Sequence, residues 1–230
     1  MSIWSIKTHA ITLMFLCALT AQAQQTAEPL SPAYDRAVAN EDGGQAFIIE
    51  RSSRRLSSYG RPRKGTIAVP EQYSIFVGGQ WQTSALRERQ VKLQSLLANL
   101  ADDAELLALQ EIGIKNRFGP TAKVERPDLA LRSFSDLDIQ RLLTAIFDSN
   151  ALPGPSANRI YVVFLDPEIE STLGPLTGGK HFVAYHNVFR TGGAHTRYVV
   201  IPFQSDPARA SHDALRSLVA AAVKPAHFAK

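Results

Sequence analysis

Apolar and polar positions along this chain follow two rhythms, and each predicts a set of elements. Between Arg159 and Gln204 three β-branched and aromatic runs, RIYVVFLDP, HFVAYHNVF and TRYVVIPFQ, are bounded by Gly, Pro and Asp, which predicts strands. An earlier run, around Tyr73 to Val77, predicts another strand, closed by Gly78-Gly79. The 3.6-residue rhythm sets in after Thr83 or Ser84, which caps a helix carrying Leu86, Leu93, Leu96, Leu97 and Leu100 on one side. A second helical piece, ADDAELLALQEIGI, ends at Gly113, and a polar loop with Pro120 and Pro127 follows. The sharpest local signal is Ser135-x-x-Asp138, a capping-box-like start, followed by Ile139, Leu142, Leu143, Ile146 and Phe147 on one stripe and stopped by LPGPSAN. From Ser211 the pattern predicts a last helix, with Ser211 as N-cap and Asp213 in its first turn.

Gly192-Gly193, within RTGGA, can adopt positive φ, which predicts a hairpin between the second and third runs. The order is then strand, helix, helix, strand, hairpin, helix. That is an α/β (α+β) layered domain in which helices pack on a mixed sheet.

The two ends of the chain modify this picture. Lys7 precedes the apolar run ITLMFLCAL, too short to span a bilayer, and Ala21-Gln22-Ala23 is a small-x-small cleavage pattern. Residues 1–23 are thus expected to be a secretory signal peptide cut near Ala23, which implies a secreted or periplasmic protein. Cys17, the only cysteine, falls inside it, so a disulfide framework and Cys-ligated metals are set aside. No later stretch is long and apolar enough to predict a transmembrane helix. Residues 24–66 are expected to be a flexible basic segment, and 67–230 a single α/β domain.

Charge changes the picture at one place. The net charge of +4 is modest, but Arg51, Arg54, Arg55, Arg61, Arg63 and Lys64 cluster among Ser, Gly and Pro. Such a run is either a solvated linker or a contact for an anionic cell-surface polymer or protein partner. Export and the single nearby aromatic, Tyr59, argue against nucleic acid.

Catalytic signatures are sparse. LGPLTGGK lacks the first Gly spacing and the Ser/Thr of a phosphate loop and precedes a strand; no Gly-x-Ser-x-Gly elbow is present, and spacing marks no carboxylate dyad. Histidines concentrate at the C-terminal side as His181, His186, His195 and His212, with His181 and His186 expected on opposite faces of one strand. His212-Asp213-x-x-Arg216 resembles a zinc helix in spacing, with Asp213 where the general base would stand. A guanidinium occupies the second ligand position, however, and its fixed charge repels a metal.

The strand ending Gly-Gly-x-Trp, the Thr-Ser helix start, the Ser135 helix, the Arg159 strand, the Ala184-Tyr185-His186 strand and Tyr198-Val-Val-Ile-Pro together resemble the phosphate-induced protein family, also called EXORDIUM-like. The resemblance spans about Gln72 to Pro225, with no single diagnostic motif. It implies an extracellular protein and a layout compatible with a zincin-like domain. Ser211-His212-Asp213 and Val223-Lys224-Pro225 are similar in place and order to that family's Ser-His-Glu helix and its end, but depart at Asp213 and Arg216. The expectation is therefore a binding or structural protein without cofactor. The alternative is a zinc-dependent hydrolase, with His212, His186 and His195 as ligands and Asp213 as base.

Overall fold

The computed structural model describes residues 35–39, 45–49, 67, 69–98, 117–118, 122–124 and 133–223. The expected signal peptide, the basic stretch Arg51 to Lys64 and the helix expected at ADDAELLALQEIGI lie outside the described residues. In chain order the strands are β1 (Asp35–Ala39), β2 (Gln45–Ile49), β3 (Glu71–Val77), β4 (Arg117–Phe118), β5 (Ala122–Val124), β6 (Ser133–Phe134), β7 (Arg159–Leu165), β8 (Glu170–Leu173), β9 (Leu176–Thr177), β10 (Ala184–Thr191) and β11 (Ala194–Ile201). The helices are α1 (Ser84–Ala98), α2 (Asp136–Asp148) and α3 (Pro207–Val223).

Eight strands form one mixed sheet in the order β1-β2-β10-β11-β7-β3-β4, with β5 also beside β3. Its centre is three parallel strands, with Tyr73 opposite Tyr161 and Val162 opposite Val199. These strands read as near-continuous apolar runs because both faces are covered. Ile160, Val162 and Phe164 point to the layer of α1 and α3; Tyr161, Val163 and Leu165 point to the layer of α2. The short β6-β8-β9 sheet stands apart from the main one, and Leu173 of β8 joins the α2-side core. The α/β (α+β) class expected from the pattern is the class observed.

Local chemistry explains the helix ends. Ser135 Oγ accepts from Asp138 N (3.3 Å) while Asp138 Oδ2 accepts from Ser135 N (3.1 Å), the reciprocal box that the sequence predicts. At the other end of α2, Asn150 takes φ 56° and the Asn150 and Ala151 amides donate back to Phe147 and Ile146, so the helix closes before the proline-rich stop. Thr83 Oγ1 accepts from Leu86 N (3.4 Å), making it the cap of α1.

The start of α3 differs from expectation. Asp206 Oδ1 accepts from Ala208 N (2.9 Å) and Pro207 occupies the first helical position, where its missing N–H costs nothing. Ser211 lies a full turn inside, buried, its hydroxyl donating to Pro207 O (2.9 Å). It is not the cap. The second apolar run also pairs later than expected: β10 begins at Ala184, so His181 is in the preceding loop, where its Nδ1 accepts from Thr177 N (2.9 Å). The hairpin turn is as expected, with Gly192 and Gly193 at φ 55° and 81°.

One polar knot ties α2 to the sheet. Asp136, 1 % exposed in the first turn of α2, accepts from Tyr198 Oη (2.7 Å) on one carboxylate oxygen and from Asn187 Nδ2 and Gln140 Nε2 (both 2.9 Å) on the other. A carboxylate in an apolar layer is tolerable only with partners of this kind. Burial and the Asp136 charge together push the Tyr198 phenol well above its ordinary pKa.

Candidate functional site

The carboxyl edge of a parallel sheet is where an α/β fold leaves room for a ligand, because successive connections diverge there. In this protein the space beyond β3 and β7 is filled. Gly78, at φ 119°, turns the chain out of β3, and a Cβ there would overlap the Asp166 carboxylate. That carboxylate accepts from Gln80 N (3.0 Å) and Glu168 N (3.0 Å), sealing the gap between the two strands.

Beyond β11 the edge stays open. A cleft of about 250 Å³ is lined by Gly179, Val183 and the segment from Pro202 to Asp206, with Arg209 on α3. A shallower hollow of about 130 Å³ continues it past Lys180, His181 and Phe182. Arg89 of α1 fixes one wall: its guanidinium lies over the Phe203 ring (4.6 Å) and donates to Ser205 O (2.6 Å) and to Gln204 O. Burial lowers the Arg89 pKa, with the Asp206 charge working the other way. Gln204 Nε2 reaches across to Val183 O (3.3 Å), joining the two walls. Exposed Lys180 and Arg209 put positive charge at the rim, and the α3 N-terminus adds a partial one.

Among the described residues that line the cleft and its hollow, Asp206 and His181 each already make a structural hydrogen bond: Asp206 caps α3 and His181 holds Thr177 N.

The histidines and Asp213 singled out by spacing are distributed as follows. Asp213, 5 % exposed, lies inside α3 with Oδ1 3.8 Å from Arg216 Nη1, and Arg216 is itself 2 % exposed. Burial raises the Asp213 pKa; a hydrogen bond from Gln204 and the charges of Arg216, His212 and Arg209 oppose that rise. His212, one residue earlier, is half-buried. His186 is buried on β10, its ring stacked on Phe47 at 5.2 Å. His195 sits at the exposed start of β11, opposite Arg190.

His186 pairs in register with Val199, four residues from His195, so the two lie about 13 Å apart along the sheet at about 3.3 Å per residue. Among the described residues no three His, Cys, Asp or Glu side chains are grouped to hold an ion. The set does not match tetrahedral zinc, whose nitrogens lie about 2.0–2.1 Å from the metal.

Comparison with protein-family models, with curated proteins and with solved structures returned no match. Sequence reasoning missed the cleft itself. A signal was present, however: an apolar strand followed within a few residues by Ser-Asp-Pro is a strand delivering a capped helix, and that junction is the cleft wall.

Proposed function

We propose that this chain is an exported binding protein of the cell envelope or extracellular space, related to the EXORDIUM-like proteins, and that it is not a catalyst. The supporting observation is the carboxyl-edge cleft, whose rim is cationic while its acid and base groups are committed to structural hydrogen bonds. Such a site retains an anionic or amide-bearing group without transforming it. The basic run from Arg51 to Lys64 supplies a second contact for an anionic cell-surface polymer or a protein partner. Among the described residues no helix is long and apolar enough to cross a membrane.

The test is binding of the mature chain to envelope fractions and anionic polymers. Reversing Arg51, Arg54 and Arg55 to Glu should lower retention, and Lys180→Glu/Arg209→Glu should lower it further. Unchanged retention in both variants would overturn the reading.

The alternative remains a zinc-dependent hydrolase with a zincin-like arrangement, using His212, His186, His195 and Asp213. What speaks for it is that His186 and His195 both point to the sheet face that carries α3. Because the side-chain set does not match a zinc site, no step is derived through a metal. Metal content of the untagged protein beside His212→Ala decides: stoichiometric zinc that the variant loses would displace the binding reading.

A further inference from the structure

The carboxyl-edge cleft and the hollow beside it adjoin, with Gly179 and Val183 lining both. Gly179 stands at φ 78° with open space where a Cβ would project, so no side chain of its own divides the two parts. The loop that carries it is fixed. Gly178 packs so closely on Pro202 that a Cβ there would overlap the proline ring, while Gly179 N donates to Phe182 O (2.7 Å) and His181 N to Thr177 O (2.8 Å).

The lining combines apolar groups with polar ones of both charge signs. Val183, Pro202 and the half-buried Phe203 ring are the apolar part. Among the described residues each space is lined by one lysine or arginine, Arg209 in the cleft and Lys180 in the hollow, and both are exposed. Asp206 is also exposed in the cleft; its Oδ1 accepts from Ala208 N, and a carboxylate has a second oxygen with which to accept.

This lining restricts the ligand. Cations in adjoining spaces suit a chain with anionic groups at successive positions. The Asp206 carboxylate repels a phosphate or sulfate chain that brings no O–H donor, whereas it accepts from a hydroxyl. The apolar groups suit a C–H face withdrawn from water. Sugar rings that each bear one carboxylate meet all of these conditions, and the planar arginine fork matches a carboxylate in shape. A cleft of about 250 Å³ lies below the range of about 300–1,000 Å³ that drug-sized ligands occupy, which suits one ring, with a neighbouring unit in the hollow.

We propose that the cleft and its hollow bind two adjoining units of a uronic-acid polysaccharide, with Arg209 and Lys180 on successive carboxylates, Asp206 accepting from a sugar hydroxyl, and Phe203 and Pro202 against the C–H face of the ring. This rests on the reading of the chain as a binding protein with an anionic partner and names the chemistry of that partner at the cleft.

The experiment measures dissociation constants of the mature chain for fluorescently labelled tetragalacturonate and for labelled linear tetraphosphate at one fixed ionic strength. Tetragalacturonate should bind the more tightly, although tetraphosphate is the denser anion. Lys180→Gln/Arg209→Gln, both at exposed positions, should weaken tetragalacturonate about tenfold. The charge-matched Arg141→Gln/Arg190→Gln, on α2 and at the far end of β10, should weaken it less than about twofold. Gly179→Asn, a residue that tolerates positive φ, sets a side chain between the two spaces and should also weaken it about tenfold. Asp206→Asn keeps a helix cap and should lower the ratio of tetragalacturonate to tetraphosphate affinity about fivefold.

Tetraphosphate binding as tight as that of tetragalacturonate, or an unchanged ratio in Asp206→Asn, would overturn the sugar assignment and leave the anionic reading standing. Equal losses from the two charge pairs would show that net charge alone acts and would overturn the site, as would a loss confined to the reversal of Arg51, Arg54 and Arg55. Retention on envelope fractions without binding of either oligomer would overturn the sugar assignment alone. No retention and no oligomer binding would overturn both.

Discussion

Asp213 and Arg216 form an ion pair one turn apart inside α3, with Oδ1 and Nη1 separated by 3.8 Å and both side chains almost wholly out of water. Desolvating two charges is costly, and at this distance the attraction offsets the cost only in part. Removing Arg216 takes a compensating charge from a carboxylate that stays buried. Arg216→Met should therefore destabilise the fold by about 3 kcal/mol, whereas Asp213→Leu/Arg216→Met should recover most of that loss. Chemical denaturation of the two single variants and the double variant gives the coupling. If the double variant were as unstable as the sum of the singles, the pair would not be a unit.

The same pair predicts a pH dependence of unusual sign for an aspartate. Burial holds the Asp213 pKa above its ordinary value of 3.8, so in the acid range the folded state binds its proton more tightly than the unfolded chain. The stability this group contributes is full below about 3.8 and is lost as pH rises through the raised folded value. Relative to Asp213→Asn, the unmodified protein should thus lose stability on going from about pH 4 towards neutrality. Parallel curves for the two proteins across that range would show that Asp213 keeps its ordinary pKa in the fold.

Features written into a few adjacent residues were legible in the sequence, and those made by distant contacts were not. The Ser135–Asp138 box and the Gly192-Gly193 turn need only local geometry, and both formed as read. Ser211 precedes an apolar stripe and so reads as a cap, but Asp206 caps the helix five residues earlier through Ala208 N, and the Ser211 hydroxyl donates back to Pro207 O. β10 starts at Ala184 because the segment before it is held by backbone bonds from Gly178 to Ser171 of β8 and from Gly179 to Phe182, while the pairing with β2 begins at Ala184 and that with β11 at Tyr185. For the candidate site, the spacing of His212, Asp213 and Arg216 marked α3 as unusual. It did not reveal that α3 is buried on most sides, which makes Asp213 and Arg216 partners of each other. The cleft joins Gly179–Val183 to Pro202–Asp206 through Gln204 and Arg89, contacts that no local pattern encodes.

Tyr198 and Asp136 make the shortest bond of the knot between α2 and the sheet, at 2.7 Å. Tyr198→Phe removes a donor from a buried carboxylate while preserving the ring's packing against Tyr185 and Phe189. The expected cost is about 1–3 kcal/mol. Asp136→Ala takes the shared acceptor from Tyr198, Asn187 and Gln140 in the same layer and should cost more than Tyr198→Phe. Thermal unfolding of the two variants tests that order, and the reverse ranking would mean that water replaces the carboxylate.

Gly78 cannot be replaced without moving Asp166. Its φ of 119° is strained for any L side chain, and a Cβ there would occupy the place of the Asp166 carboxylate, which holds Gln80 N and Glu168 N. Gly78→Ala therefore combines backbone strain with the loss of two charge-assisted hydrogen bonds, and it should cost more than about 3 kcal/mol. Asp166→Ala alone loses the bonds but relieves the overlap. If overlap is the larger part, Gly78→Ala/Asp166→Ala should be more stable than Gly78→Ala, a rescue by a second deletion. If instead the double variant is the less stable of the two, the Asp166 bonds to Gln80 N and Glu168 N survive in Gly78→Ala and outweigh the overlap. Denaturant midpoints of the three proteins separate these outcomes. The residues that line the cleft beyond β11 lie outside the β3–β7 gap that Asp166 fills, so its shape should be unchanged in every one of them that folds.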